Sequence, residues 1–288
     1  MITITGATGA LNGATADHLL RVLPPSRVRV VARDPRRAAR FADLGVDVRS
    51  GHYDDPNGLR SAFSGTDHLL LVSSNDPHGD TLRQHRNAVD AAVDAGVSRI
   101  LYTSHQGAGD DSPFLPARHH AATEAMLAAS GLPWTALRNG FYAHSLHWLM
   151  GPWQETGVVS VPADGPVSWT AREDAAEAAA AVLLREEPLD GPLTMTAAAA
   201  PAFADLARTA SQLSGRPVGF EVIGEDDWVA RCVAAGQSEP RARFMLGMYQ
   251  AAQQGRFAGT DPLLAALLGR EPRTAAEVLA DLSRTPRS

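Results

Sequence analysis

Apolar and polar positions in the first half of the chain alternate between two rhythms. Short β-branched or aliphatic runs at 1–5, 28–31, 46–48, 68–72, 100–102 and 134–137 read as buried strands. Stretches with helical spacing lie between them, at 10–22, 35–42, 57–63, 81–95 and 117–129. Strand and helix strictly alternate, with short connections. That order predicts an α/β fold: a doubly wound, Rossmann-type parallel sheet with right-handed crossovers. Ligands of such sheets bind at the carboxyl ends of the strands, near the point where strand order reverses.

Past Arg138 the rhythm breaks. Gly140, Gly151, Pro152, Trp153, Gly157, Pro162, Gly165, Pro166 and Trp169 punctuate the chain. Helices are expected at 172–184, 203–213, 226–235, 240–254 and 274–282, with one short strand at 218–222. The division expected is a dinucleotide-binding domain over residues 1–138 and a smaller α+β substrate or lid region over 139–288. Later segments are allowed to return to the sheet. The helix near 241–254 serves either as a lid or as a homodimer face, and the sequence leaves both open.

The first strand runs straight into Gly6-Ala7-Thr8-Gly9-Ala10-Leu11-Asn12-Gly13 and then a helix. Glycines let the backbone approach a pyrophosphate, and the free N–H groups of the helix start stabilise its charge. Gly6, Thr8, Gly9, Ala10 and Leu11 are therefore assigned to a nicotinamide dinucleotide. Asn12 stands where a third glycine is usual, and Gly13 follows one place late. At the end of the second strand, Arg33 occupies the position that receives the 2′-phosphate of NADPH. Asp34 beside it competes as a ribose ligand. Arg33, Arg36 and Arg37 favour NADPH over NADH.

Ser73 and Ser74 end the fourth strand and are assigned to the cofactor, as are Thr103 and Ser104 at the end of the fifth. His78 and His85 read as surface histidines. His120 and Glu124 are four apart and share a helix face. His120 is placed at the cofactor ribose or as a proton donor, against the plainer reading of a histidine satisfied by Glu124. After the sixth strand, Phe141, Tyr142, His144, Trp148 and Trp169 concentrate aromatic rings in a chain that is only 6% aromatic. They suit an apolar pocket for a flat acceptor, with ordinary core packing as the competing reading. His105 joins the acceptor residues. His120 and Tyr142 are the catalytic candidates. No metal is expected, because no histidine or cysteine set has ligand spacing.

Bulk composition narrows the class further. The 288 residues are 44% hydrophobic and carry a net charge of −6, which gives nucleic acid or an anionic membrane no evident attraction. No apolar run approaches the ~18 residues of a membrane span. With one cysteine, Cys232, no internal disulfide can form. The N-terminus lacks a signal-peptide pattern, so a cytoplasmic location is expected. All 26 basic residues are arginine. A Schiff base, a lysine base or a Tyr-x-x-x-Lys pair is therefore impossible.

The order of motifs resembles the NmrA-like atypical short-chain dehydrogenase/reductase family. The resemblance runs through Thr5-Gly6-Ala7-Thr8-Gly9, Arg33-Asp34-Pro35, Gln84-His85-Arg86-Asn87, Tyr102-Thr103-Ser104 and His120-x-x-x-Glu124. It continues through Leu137-Arg138-Asn139-Gly140, Ala171-Arg172-x-Asp174 and Leu268-Gly269-Arg270-x-Pro272-x-Thr274, so it spans essentially the whole chain. It implies a Rossmann domain that holds NADPH, a small C-terminal lid holding the substrate, and a normal absence of the Tyr-Lys pair. The family divides between quinone reductases, reductases of other small molecules, and regulators that bind the dinucleotide without turnover. The expected function is hydride transfer from NADPH to a quinone or similar flat conjugated acceptor. A redox-sensing regulator and a tailoring reductase of secondary metabolism are the alternatives.

Overall fold

The computed structural model describes residues 1–74, 76 and 79–284. The elements in chain order begin with β1 (Ile2–Thr5), α1 (Ala10–Leu20), β2 (Val28–Ala32), α2 (Ala39–Ala42), β3 (Asp47–Ser50), α3 (Pro56–Phe63) and β4 (His68–Leu71). Next come α4 (Thr81–Asp94), β5 (Arg99–His105), α5 (Leu115–Ala129), β6 (Trp134–Asn139), α6 (Leu146–Leu149), α7 (Trp153–Thr156) and β7 (Val158–Val161). The chain continues with α8 (Arg172–Leu183), β8 (Gly191–Met195), α9 (Phe203–Ser214), β9 (Gly219–Val222), α10 (Glu225–Ala234), α11 (Glu239–Gln253), α12 (Leu263–Leu268) and α13 (Ala275–Arg284). Among the described residues no helix is long and apolar enough to cross a membrane.

Seven strands form one sheet in the order β3-β2-β1-β4-β5-β6-β8. The pairs β1–β2, β1–β4, β2–β3 and β4–β5 are parallel. Strand order reverses at β1 and β4, which is the doubly wound arrangement the alternating pattern predicts. Strands β1 and β2 are buried along their whole length, and their polar members Thr3, Thr5 and Arg29 are satisfied by hydrogen bonds to Thr66, the Leu70 carbonyl and Asp47. Packing comes from Leu59, Phe63, Leu69, Leu71, Val89, Ile100 and Tyr102, all buried in one cluster.

The chain divides into two compact units. One comprises Met1–His105, His119–Arg138 and Glu173–Leu193; the other comprises Gln106–Arg118, Asn139–Arg172 and Thr194–Ser288. Glu173–Leu193, most of α8 and the start of β8, therefore belong with the unit that carries β1 to β5. The other unit has its own core around Phe114, Phe141, Trp169, Phe203, Tyr249 and Phe257, together with a two-stranded parallel ribbon of β7 and β9.

Candidate active site

The turn after β1 has the shape the sequence predicts. Gly6 sits at φ +66°, and a Cβ there would come within 2.5 Å of Val72 Cγ1. Only glycine meets both demands, so the loop can lie flat against the end of β4. The Gly9 N–H closes the turn on the Gly6 carbonyl at 2.9 Å. Helix α1 then starts with no side-chain cap at Gly9 and no acidic residue in its first turn. Thr8, Gly9 and Ala10 are exposed, with Leu11 half-buried behind them. The first amides of α1 thus have no side-chain acceptor at the cap.

Asn12 takes a different route to the packing its glycine counterpart would give. Its Nδ2 donates to the Thr5 carbonyl at 2.8 Å, which staples α1 to the end of β1. Its Oδ1 is buried and has no partner among the described residues. The close approach itself is moved to Gly13, where a Cβ would lie 2.8 Å from the Ala7 carbonyl oxygen.

The competition between Arg33 and Asp34 is resolved locally. Asp34 caps the following 3-10 turn by accepting the Arg36 N–H at 3.0 Å, and it takes a two-point contact from the Arg36 guanidinium, at 2.9 Å on each oxygen. Those hydrogen bonds hold its carboxyl below the ordinary range. Arg33 is exposed and has no ion-pair partner among the described residues.

Strand ends β4 and β5 are tied together. The Ser73 N–H donates to Thr103 Oγ1 at 2.9 Å. The Ser74 hydroxyl donates to Gln84 Oε1 at 2.5 Å. Among the described residues the Ser73 hydroxyl has no partner, so of the two serines it alone is available to a ligand. Ser104 is buried, and its hydroxyl donates to Glu124 Oε1 at 2.6 Å.

Glu124 does not serve His120, which removes the plainer reading of that pair. The carboxylate accepts instead from Arg138 Nε at 2.9 Å and from Arg138 Nη2, besides Ser104. This clasp joins α5 to β6 and raises the Arg138 pKa further. His120 Nδ1 lies 2.8 Å from the Tyr102 hydroxyl, and its ring stacks on His105 at 6.1 Å between centroids. Burial, then the neighbouring histidines 105, 85 and 119, hold His120 well below the ordinary imidazole range. His105 is pushed down to about 4 by burial alone. Both rings are neutral at physiological pH. A neutral imidazole that accepts at Nδ1 carries its proton on Nε2 and can donate it.

His85 is the clearest departure from the sequence reading. Expected on the surface, it is buried at 1% exposure, and burial pushes its pKa down to about 4. Its nitrogens bind the Ser74 N–H and Thr123 Oγ1, each at 2.7 Å. These partners lie 11 and 38 residues away, so no local pattern announced them. His78 falls outside the described residues.

The aromatic residues after β6 separate into two roles. Phe141 and Trp169 are core residues. Their rings meet edge to face at 5.6 Å, Phe257 stands 5.7 Å from Phe141, and the Trp169 indole N–H donates to the Pro201 carbonyl. Tyr142 is half-buried, with its hydroxyl accepting from Asn139 Nδ2 at 3.2 Å and the Arg172 guanidinium 5.7 Å from its ring. Burial pushes its phenol up to about 12. Asn139 Oδ1 is buried without a partner among the described residues. His144 is half-buried in the 3-10 turn Ala143–Ser145. Trp148 is 48% exposed and walls a cavity of about 300 Å³ together with Met150, Trp228, Met245 and Tyr249.

Residues 1–254 match the profile of the NmrA-like family. Quinone oxidoreductase 2 of Escherichia coli (strain K12) is 34% identical over 98% of both chains. The crystal structure of an Escherichia coli NADPH-dependent quinone oxidoreductase complexed with NADPH superposes with a TM-score of 0.91. It shares 33% identity and covers 99% of this chain and 100% of that one. Triphenylmethane reductase of Citrobacter sp., complexed with NADP(H), gives a TM-score of 0.89 at 33% identity, over 98% of this chain and 100% of that one.

Proposed function

The chain belongs to the NmrA-like family, and from that premise we propose that it is an NADPH-dependent reductase of quinones or similarly flat, conjugated small molecules. The observation that carries this reading is the division of labour at the end of β2: Asp34 pairs with Arg36, and Arg33 is exposed with no ion-pair partner among the described residues. The residues fit the cofactor at its phosphates as well. No side chain caps α1, and the loop residue Gly6 has no Cβ.

When bound, NADPH supplies the hydride. The turn from Gly6 through Thr8, Gly9, Ala10 and Leu11 holds the pyrophosphate with backbone amides. Arg33 would take the 2′-phosphate in a charge-assisted contact. Ser73 offers its free hydroxyl to the cofactor. Thr103 fixes the Ser73 backbone, and Ser104 and Ser74 act through Glu124 and Gln84. His120, kept neutral and backed by Tyr102, would donate a hydrogen bond from Nε2 to the ribose; a neutral imidazole held this far below its ordinary range has no acidic proton to deliver.

Tyr142 donates to the acceptor oxygen. Asn139 occupies one lone pair of its hydroxyl and leaves the proton unassigned. A phenol raised to about 12 keeps that proton at neutral pH and acts as a donor, not a base. A quinone accepts hydride readily, so orientation supplies most of the rate and no Tyr-x-x-x-Lys pair is required. Trp148 is the exposed ring available for stacking, His144 is a polar candidate in the same unit, and His105 at the end of β5 remains an acceptor candidate in its own unit. Phe141 and Trp169 support the Tyr142 segment from the core.

Oxidation of NADPH in the presence of a panel of benzoquinones and naphthoquinones tests the assignment. Saturable turnover above the protein-free rate supports a reductase. Tight NADPH binding without turnover on any acceptor would favour the redox-sensing reading.

A further inference from the structure

Of the motif Gln84-His85-Arg86-Asn87 the chemistry above uses only Gln84, although His85 and Asn87 also bond to loop backbone. Asn87 Nδ2 donates to the Tyr53 carbonyl at 2.9 Å, and the Tyr53 hydroxyl donates to the Val72 carbonyl at 2.8 Å. Gln84 accepts from the Ser74 hydroxyl and passes its own Nε2–H to Asp54 at 2.9 Å. His85 is the deepest of the three.

The hydrogen bonds of His85 have only one possible direction. The Ser74 backbone N–H can only donate, so His85 Nε2 must be the bare, accepting nitrogen. The neutral ring then carries its proton on Nδ1 and gives it to Thr123 Oγ1 at 2.7 Å. Thr123 in turn donates its hydroxyl proton to the His119 carbonyl at 2.7 Å. One chain of hydrogen bonds thus runs from the end of β4, through α4, into α5 one residue before His120. The His85 ring also meets Tyr102 edge to face at 5.6 Å, and Tyr102 is the partner of His120.

We propose that His85 is a positioning residue for cofactor binding: its single accepting nitrogen fixes the Ser73–Ser74 backbone, and its donating nitrogen locks that backbone to the helix that carries His120. The inference rests on the NADPH reading above for its consequence, but the anchoring itself does not depend on a cofactor. Among the described residues no other side chain accepts the Ser74 N–H, and an N–H left without a partner favours a different loop conformation.

The experiment compares wild type, His85→Leu, His85→Gln and Thr123→Val. Amide hydrogen exchange at Ser74 is read in the cofactor-free protein, and NADPH affinity and steady-state constants are read separately. His85→Leu is expected to speed Ser74 exchange by at least about tenfold and to weaken NADPH by about tenfold, the consequence of one lost buried hydrogen bond. The KM for NADPH should rise by more than kcat falls. His85→Gln returns an acceptor to the loop and should recover most of both effects, which a purely space-filling role would not predict. Should His85→Leu fail to fold, Thr123→Val removes the partner that holds the proton on Nδ1 and is expected to show the same changes at smaller size. Unchanged Ser74 exchange in these variants would overturn the anchor. Faster exchange with unaltered NADPH affinity would overturn its role in cofactor binding. If wild type itself bound no NADPH, the cofactor role would fall with the functional reading, and exchange alone would still decide the anchor.

Discussion

Asp34 and Arg36 form a closed pair two residues apart, with both carboxylate oxygens held by one guanidinium and the first also capping the turn. An acidic residue at the end of β2 would ordinarily serve a ribose hydroxyl and select NADH. Here it is paired within its own turn, and on the proposed reading the adjacent Arg33 serves a 2′-phosphate. Arg33→Glu is expected to weaken NADPH by about 10- to 100-fold, the range of a lost charge-assisted contact, with little change for NADH. Fluorescence titration with both cofactors measures it. Equal loss for both would remove Arg33 from the site.

Tyr142→Phe keeps the ring and removes the donor. The expected result is a fall in kcat by about tenfold or more with an unchanged melting temperature, since hydrogen-bond donation to a developing oxyanion acts mainly in the transition state. Parallel kinetics and thermal unfolding decide it. Unaltered kcat would show that the acceptor oxygen is served by another group.

Much of the fold was legible before the structure, for a physical reason. Strands of a parallel sheet are buried on both faces, so 28–31, 68–72 and 100–102 stand out as apolar runs. Strand β8 was not legible. It begins Gly191-Pro192 and lies at the sheet edge, where proline is tolerated. Strand β7 alternates half-buried and buried positions over only four residues and was hidden among glycines and prolines. At the site, the glycine turn was readable because a local backbone demand, the positive φ of Gly6, fixes it. His85 was not, because its partners come from distant parts of the chain. The aromatic cluster marked a region without sorting its members: ring chemistry is the same for Trp169 in the core and Trp148 in the open, and only packing distinguishes them.

The histidines predict the sign of the acid response. His85 and His105 have folded-state pKa values near 4, below the ordinary imidazole value of 6.5. Between those limits the unfolded chain binds more protons than the native one. Their contribution is complete above about pH 6.5 and is lost as pH falls towards 4. For the buried His85 the full shift corresponds to about 3 kcal/mol. The melting temperature should therefore drop steeply over this window, and His85→Gln should flatten the drop. A melting temperature constant from pH 7 to 4 would contradict the neutral, buried state of these rings.

Glu124→Gln tests the clasp between α5 and β6. The substitution keeps the shape and removes the charge that Arg138 and Ser104 surround. A cost of about 2–4 kcal/mol is expected, because Arg138 loses the carboxylate that offsets its desolvation. Urea denaturation reads it as a lower midpoint with an unchanged slope. A cost below about 0.5 kcal/mol would mean that solvent already screens this pair.

A single-turnover experiment addresses the central claim. NADPH is bound first in stoichiometric amount, the complex is mixed with excess naphthoquinone, and reduced-nicotinamide absorbance is followed. A reductase gives a decay whose rate saturates with quinone concentration and whose amplitude matches the bound NADPH. Bound NADPH that persists unchanged in the presence of every quinone offered would contradict hydride transfer and make this chain a binder of the cofactor, not its user.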